Sequence, residues 1–179
     1  VQELLSLDVV RAVWSDVEVQ VEPPVITDTD EQEEKYVVES MPHLKIDQLH
    51  SEGFTGKGIK VAVIDTGIDY KHPDLDGVYK GGYDFVDNDN DPMEATYEDW
   101  EATDGKMPEF YGGNSYYTEH GTHVSGTIAG QGDNDDSEFS VKGVAPEADL
   151  YGYRVLGPYG SGTSENVIAG IDRAVEEGM

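Results

Sequence analysis

Gly58-Ile59-Lys60-Val61-Ala62-Val63-Ile64-Asp65-Thr66-Gly67 is the stretch that decides the fold. Its core, residues 59–64 (IKVAVI), is short, apolar and β-branched, as a buried strand of a parallel sheet should be. Gly56-Lys57-Gly58 makes a turn ahead of it. Asp65 closes the strand, and Gly67 lets the backbone turn tightly beside it. In open parallel sheets, functional groups gather at the carboxyl ends of the strands. Asp65 therefore stands where a site is expected.

Working outward, residues 120–130 (HGTHVSGTIAG) are small and predict a tightly packed helix. Residues 148–156 (ADLYGYRVL) predict another strand. Residues 164–177 predict an amphipathic helix with Ile168, Ile171 and Val175 on one face. Strand, helix, strand, helix is the order of an α/β fold with a parallel sheet and right-handed crossovers. Leu44, Ile46 and Leu49 predict a short helix stopped by Gly53. Residues 70–119 read as a long irregular region, of the kind that is usually functional. Ahead of all this, Leu4, Leu5 and Leu7 suggest the last turn of a helix. Val17, Val19 and Val21 alternate with polar residues at the strand period. Pro23-Pro24 ends that unit, and the acidic residues 28–34 (DTDEQEE) read as an exposed linker.

Composition excludes several classes. Thirty-eight Asp and Glu against eleven Lys and Arg give a net charge of −27 over 179 residues. Nucleic acid or an anionic membrane would be repelled. The chain has no cysteine, so disulfides, thiolate metal sites and a cysteine nucleophile are ruled out. No apolar run reaches the length of a membrane span. The acids suit either a salt-adapted surface or the binding of hard cations.

His120 follows Asp65 by 55 positions. A buried carboxylate that accepts a hydrogen bond from one imidazole nitrogen fixes the tautomer, leaving the other nitrogen free to take a proton from a hydroxyl. Either motif alone is weak. With their flanks they are specific: residues 58–69, His72-Pro73-Asp74-Leu75, residues 120–130, Gly143-Val144-Ala145-Pro146 and Tyr153-Arg154-Val155-Leu156 together resemble the subtilisin-like serine proteases. The resemblance covers about residues 41–179 and keeps that family's order, Asp before His.

The resemblance implies a subtilisin-like α/β fold, with helices on both faces of a parallel sheet and incomplete in this chain. Asp65 would be the orienting acid and His120 the general base of a serine endopeptidase, while His123 would be structural. Gly160, Ser161 and Gly162 would form the edge that pairs with substrate backbone, with Leu156 lining a neighbouring pocket. No serine matches the family's nucleophile: Gly162-Thr163-Ser164 is followed by Glu165-Asn166, and Ser164 reads as a helix N-cap. Ser125 is expected to be buried in the histidine helix. The chain is thus expected to be the N-terminal part of the catalytic domain, inactive alone. Residues 1–22 would be the tail of an inhibitory propeptide, 23–40 the maturation region and 41–179 the catalytic part. The implied protein is secreted and monomeric when complete, acts on proteins and peptides, and binds its own propeptide.

Two acidic loops suggest structural calcium, which takes six to eight oxygens. Nine acids and no Lys or Arg lie between Asp84 and Asp104. Asp84, Asp87, Asp89 and Asp91 in that run resemble a calcium loop of some family members. Asp133 and Asp135, with Asp74, resemble a second. The competing classes are an inactive acidic calcium-binding or interaction module on the same scaffold and a zinc hydrolase using His120 and His123. The latter lacks the H-E-x-x-H glutamate. A dinucleotide-binding domain lacks G-x-G-x-x-G after the first strand.

Overall fold

The computed structural model describes residues 12–13, 15–22, 41–132, 134 and 142–179. The readings of residues 1–11 and of the linker at 23–40 therefore lie outside the described residues. Strand β1 (Glu18–Gln20) comes first, on the alternation of Val17, Val19 and Val21. Helix α1 (Ile46–Ser51) follows, released by Gly53 at φ +90°. Leu44 and Leu49 are exposed, and His50 Nε2 reaches the Val144 carbonyl at 2.9 Å.

Strand β2 (Lys60–Asp65) is the expected buried strand. Strands β3 (Tyr79–Asp84) and β6 (Asp149–Arg154) complete a parallel sheet in the order β2-β6-β3. Strand β3 falls inside the region read as irregular. Tyr-Lys-Gly-Gly-Tyr-Asp carries no β-branched residue, but Gly82 has a packing reason: a Cβ there would lie 1.8 Å from the Gly152 carbonyl oxygen of β6. Close approach of two backbones, which propensity does not register, forms this strand. The same region holds helix α2 (Tyr97–Ala102), started by a reciprocal capping box between Thr96 and Asp99. It also holds the short hairpin β4 (Phe110–Tyr111) and β5 (Asn114–Ser115), turned by Gly112 and Gly113 at positive φ.

Helix α3 (His120–Ala129) and helix α4 (Ser164–Glu176) flank the sheet. Val63, Ile68, Leu75, Val78, Ala129 and Leu150 form one core cluster, with Val124 and Ile128 of α3 against it. Ile64, of opposite parity to Val63, instead meets α4, where a Cβ on Gly170 would lie 3.1 Å from its Cγ2. Alternate strand residues thus face different helices, and the sheet is covered on both faces.

Helix α4 corrects an expectation. Ile168, Ile171 and Val175 do share a face, but that face is 47, 48 and 68% exposed. The helix packs through Gly170 and Ala174. A Cβ at Gly170 would lie 2.9 Å from Val155 Cγ1, so small residues, not the branched ones, set the approach to the sheet. Strand β7 (Ser161–Thr163) precedes α4 and pairs antiparallel with β1.

Candidate active site

Asp65, Arg154 and Asp84 end the three central strands in one row, since Arg154 is in register with both. Asp65 is anchored from behind, its carbonyl accepting from Val155 N at 2.9 Å and Leu156 N at 3.2 Å. Its Oδ1 also accepts from Thr66 N at 2.7 Å.

Helix α3 delivers His120 to this row. The His120 Nδ1 lies 2.8 Å from Asp65 Oδ1 and 3.0 Å from Oδ2. A carboxylate can only accept here, so Nδ1 carries the proton and Nε2 is the acceptor nitrogen. The Asp65 side chain is 14% exposed and that of His120 is 51% exposed, so the carboxylate is shielded while the ring opens outward.

The start of α3 is capped from a distance. Glu119, at the N-cap, makes no side-chain cap bond. Gly121 N instead donates to Thr66 Oγ1 at 2.9 Å, and Thr122 N to Glu94 Oε1 at 2.9 Å. Glu94 is buried and also accepts from the hydroxyls of Thr122 (3.1 Å) and Thr118 (2.6 Å). A carboxylate against first-turn amides also suits the positive end of the helix dipole. Glu94 escaped the sequence reading because it sits in an acidic run, 26 residues ahead of the histidine. The absence of a capping residue at 119 is the signal that could have prompted a search for it.

The residues expected to form the substrate edge pair with the segment around β1. Glu18 pairs with Thr163, Val19 with Gly162 and Gln20 with Ser161. Val21 N donates to Gly160 O and Ser164 N to Val17 O, both at 2.9 Å. Leu156 is buried and bridges Gly162 from the other side. Ser164 is the first residue of α4, and the capping side chain is that of Thr163, which accepts from Asn166 N at 3.2 Å. Ser164 Oγ instead donates to Asp16 at 2.6 Å and accepts from Val17 N. Hydrogen bonds from Ser164 and from Glu165 N hold the Asp16 carboxyl below its usual range. Ser125 is fully buried, its hydroxyl without a hydrogen-bond partner.

The acidic run at 84–91 has other partners than a cation. Arg154 Nη1 donates to Asp84 Oδ2 at 2.6 Å and to Asp87 Oδ2 at 2.7 Å. Asp84 Oδ1 accepts from the Val86 and Asp87 amides, Asp89 from Asp91 N, and Asp91 from the Tyr70 hydroxyl. Among the described residues, no three acidic or histidine side chains are placed to hold a metal ion. Asp133 and Asp135 lie outside the described residues. Asp74, at a 3₁₀ turn, accepts on its carbonyl from Gln131 N at 2.9 Å, at the entrance to their loop.

Comparison with known proteins identifies relatives of the chain. The chain is 44% identical over 194 residues to the minor extracellular protease Vpr of Bacillus subtilis (strain 168), covering 99% of this chain and 20% of that protein. It is 41% identical over 136 residues to subtilisin E of the same organism, covering 76% of this chain and 29% of that one. The crystal structure of a cold adapted subtilisin-like serine proteinase matches with a TM-score of 0.49 at 35% identity, over 69% of this chain and 34% of that chain. The chain thus spans 20% of the first of these relatives and 29% of the second. Among the described residues, no helix is long and apolar enough to cross a membrane. The profile of the subtilase family of peptidases matches residues 56–179, and the chain belongs to that family.

Proposed function

We propose that this chain supplies the acid–base pair and part of the substrate edge of a serine endopeptidase. Asp65 orients and His120 is the general base. The Asp65–His120 hydrogen bond at the carboxyl end of β2 carries the reading. The exposed ring leaves Nε2 to take a proton from an attacking serine hydroxyl and return it to the leaving amine. Among the described residues no serine hydrogen-bonds to His120, so the pair is read as serving a nucleophile other than Ser125 or Ser164.

Residues 17–22 read as a propeptide tail lying along Gly160–Gly162 in the place of substrate. Support comes from their antiparallel pairing with β7, the mode in which an extended peptide joins a sheet edge. Release of these residues would open the edge. Secretion is part of the same proposal, supported by the extracellular relatives.

Calcium is proposed at the 131–142 loop and not at 84–91. The residues at 84–91 do not fit it, because the buried carboxylate of Asp84 and the exposed one of Asp87 already bond the Arg154 guanidinium. The tie between Asp74 and Gln131 supports a site that Asp74, Asp133 and Asp135 would share. Calorimetric titration with calcium should show heat that Asp74→Asn weakens; no heat in the parent would remove the cation from the proposal.

Peptide hydrolysis by the complete protein tests the main reading. His120→Ala should abolish it, and Asp65→Asn should lower kcat by about 10⁴ through the wrong tautomer. Full activity in His120→Ala would end the reading.

A further inference from the structure

We propose that the β4–β5 hairpin extends the peptide-binding edge begun by β7: Asn114 holds the peptide main chain, and a pocket beside Tyr159 selects one side chain. The proposal rests on the reading of residues 17–22 as a stand-in for substrate. That segment pairs with β7. Past the end of β7, Asn114 Nδ2 donates to the Val21 carbonyl at 3.3 Å. An amide aimed at a carbonyl ignores side-chain identity, so it engages any extended peptide that reaches it.

The hairpin is tied to β7 through Tyr159, two residues before that strand. Its N–H donates to Tyr116 O at 3.3 Å and its hydroxyl to Pro108 O at 2.5 Å. Its ring meets Tyr111 and Tyr116 edge-on, with centroids 5.8 and 5.5 Å away. Tyr159 is also held at φ +61°, a conformation that costs a non-glycine residue. Such a cost is sustained where the surroundings over-determine the backbone.

A pocket of about 290 Å³ opens between the hairpin and β7, lined by Met107, Pro108, Tyr111 and Tyr159 beneath Gln20. Its lining is mostly apolar, and Gln20 Nε2 donates within it to the Tyr159 carbonyl at 3.4 Å. The extended edge therefore takes a peptide with, in the place of Gln20, a long side chain ending in an N–H donor.

Native-state hydrogen exchange on the complete protein tests the clamp without reference to catalysis. Asn114→Ala should speed exchange of the Val21 and Ser164 amides about five-fold, the loss of one ordinary hydrogen bond. The Leu150 amide, inside the central sheet, should not change, which also reports that the variant is folded. Asn114→Asp, the same shape without the donor, should do at least as much. Unchanged Val21 exchange in both folded variants would overturn the clamp. For the pocket, hydrolysis of peptides that carry Val-Glu-Val-X-Val-Glu ahead of the bond cleaved should favour Gln or Lys over Gly at X, chiefly in KM, and Tyr111→Ala should erase the preference. No such preference in an active parent would overturn the pocket. Loss of the peptidase reading would show separately, as hydrolysis that survives His120→Ala.

Discussion

The α-carbon of Gly121 packs directly on the backbone of Gly67: a Cβ added to Gly121 would lie 2.0 Å from the Gly67 carbonyl oxygen and 3.1 Å from the Asp65 Cβ. The histidine helix and the aspartate turn are in main-chain contact, and this contact brings two side chains 55 residues apart within hydrogen-bond reach. The missing side chain of Gly121 is what lets the two backbones meet.

Gly121→Ala should therefore do more than change a helix residue. The helix must move by more than an ångström, at a cost of about 3 kcal/mol in the range of severe overpacking. Urea unfolding should show the loss of stability. The downfield proton resonance of the His120–Asp65 bond should vanish along with it. An alanine variant with unchanged midpoint and resonance would contradict the packing described.

Glu94 gathers one amide and two hydroxyl donors in a buried setting. Glu94→Ala strands all three and should cost about 2–4 kcal/mol, since each buried unsatisfied donor is expensive. Glu94→Gln keeps the shape but turns one oxygen into a donor facing donors, and should recover only part of that cost. Denaturation midpoints of the two variants would check the order.

Arg154 is 7% exposed and is shared between Asp84, at 2%, and Asp87, at 66%. Removing a buried partner leaves an uncompensated charge, so Asp84→Ala should cost about 3–5 kcal/mol. Asp87→Ala, at an exposed carboxylate, should cost under about 1 kcal/mol. Equal losses, measured by thermal or urea unfolding, would refute the asymmetry.

Burial pushes the Tyr79 hydroxyl up to about 12. Burial, followed by its hydrogen bond to Glu177, pushes Tyr153 up further. In the unfolded chain both titrate near 10. The unfolded state therefore releases protons first, and stability present below pH 10 should be lost as pH rises toward 12. Urea midpoints at pH 9, 10 and 11 should fall, and Tyr79→Phe should flatten that fall. A parent midpoint constant across this range would refute it.

Much of the site was legible because its residues lie at the ends of strongly patterned elements. Residues 59–64 read as a strand because β-branched residues suit a buried sheet, and Asp65 inherits its position from that strand. His120 reads from the small-residue helix behind it. The alternation of Val17, Val19 and Val21 announces a strand without naming its partner. Glu94, Asn114 and Tyr159 were not legible, since nothing local marks a side chain whose partner is 20 or more residues away. Strand β3 was hidden by Gly81 and Gly82, which are poor strand formers in isolation, although Gly82 is necessary where two backbones meet.

By itself, the sequence determined the types of β2, α3, β6 and α4, the order of acid before base, the family resemblance and the excess of negative charge. These follow from local periodicity and short motifs. Tertiary structure alone decided that Asp84 and Asp87 serve Arg154, that α4 turns its glycine inward, and that β1 lies on the edge at Gly160–Gly162. The reason is physical. Periodicity reports which face of an element is apolar, whereas the partner of a charge or a strand edge is chosen by proximity, and proximity between distant segments exists only once the backbone has packed.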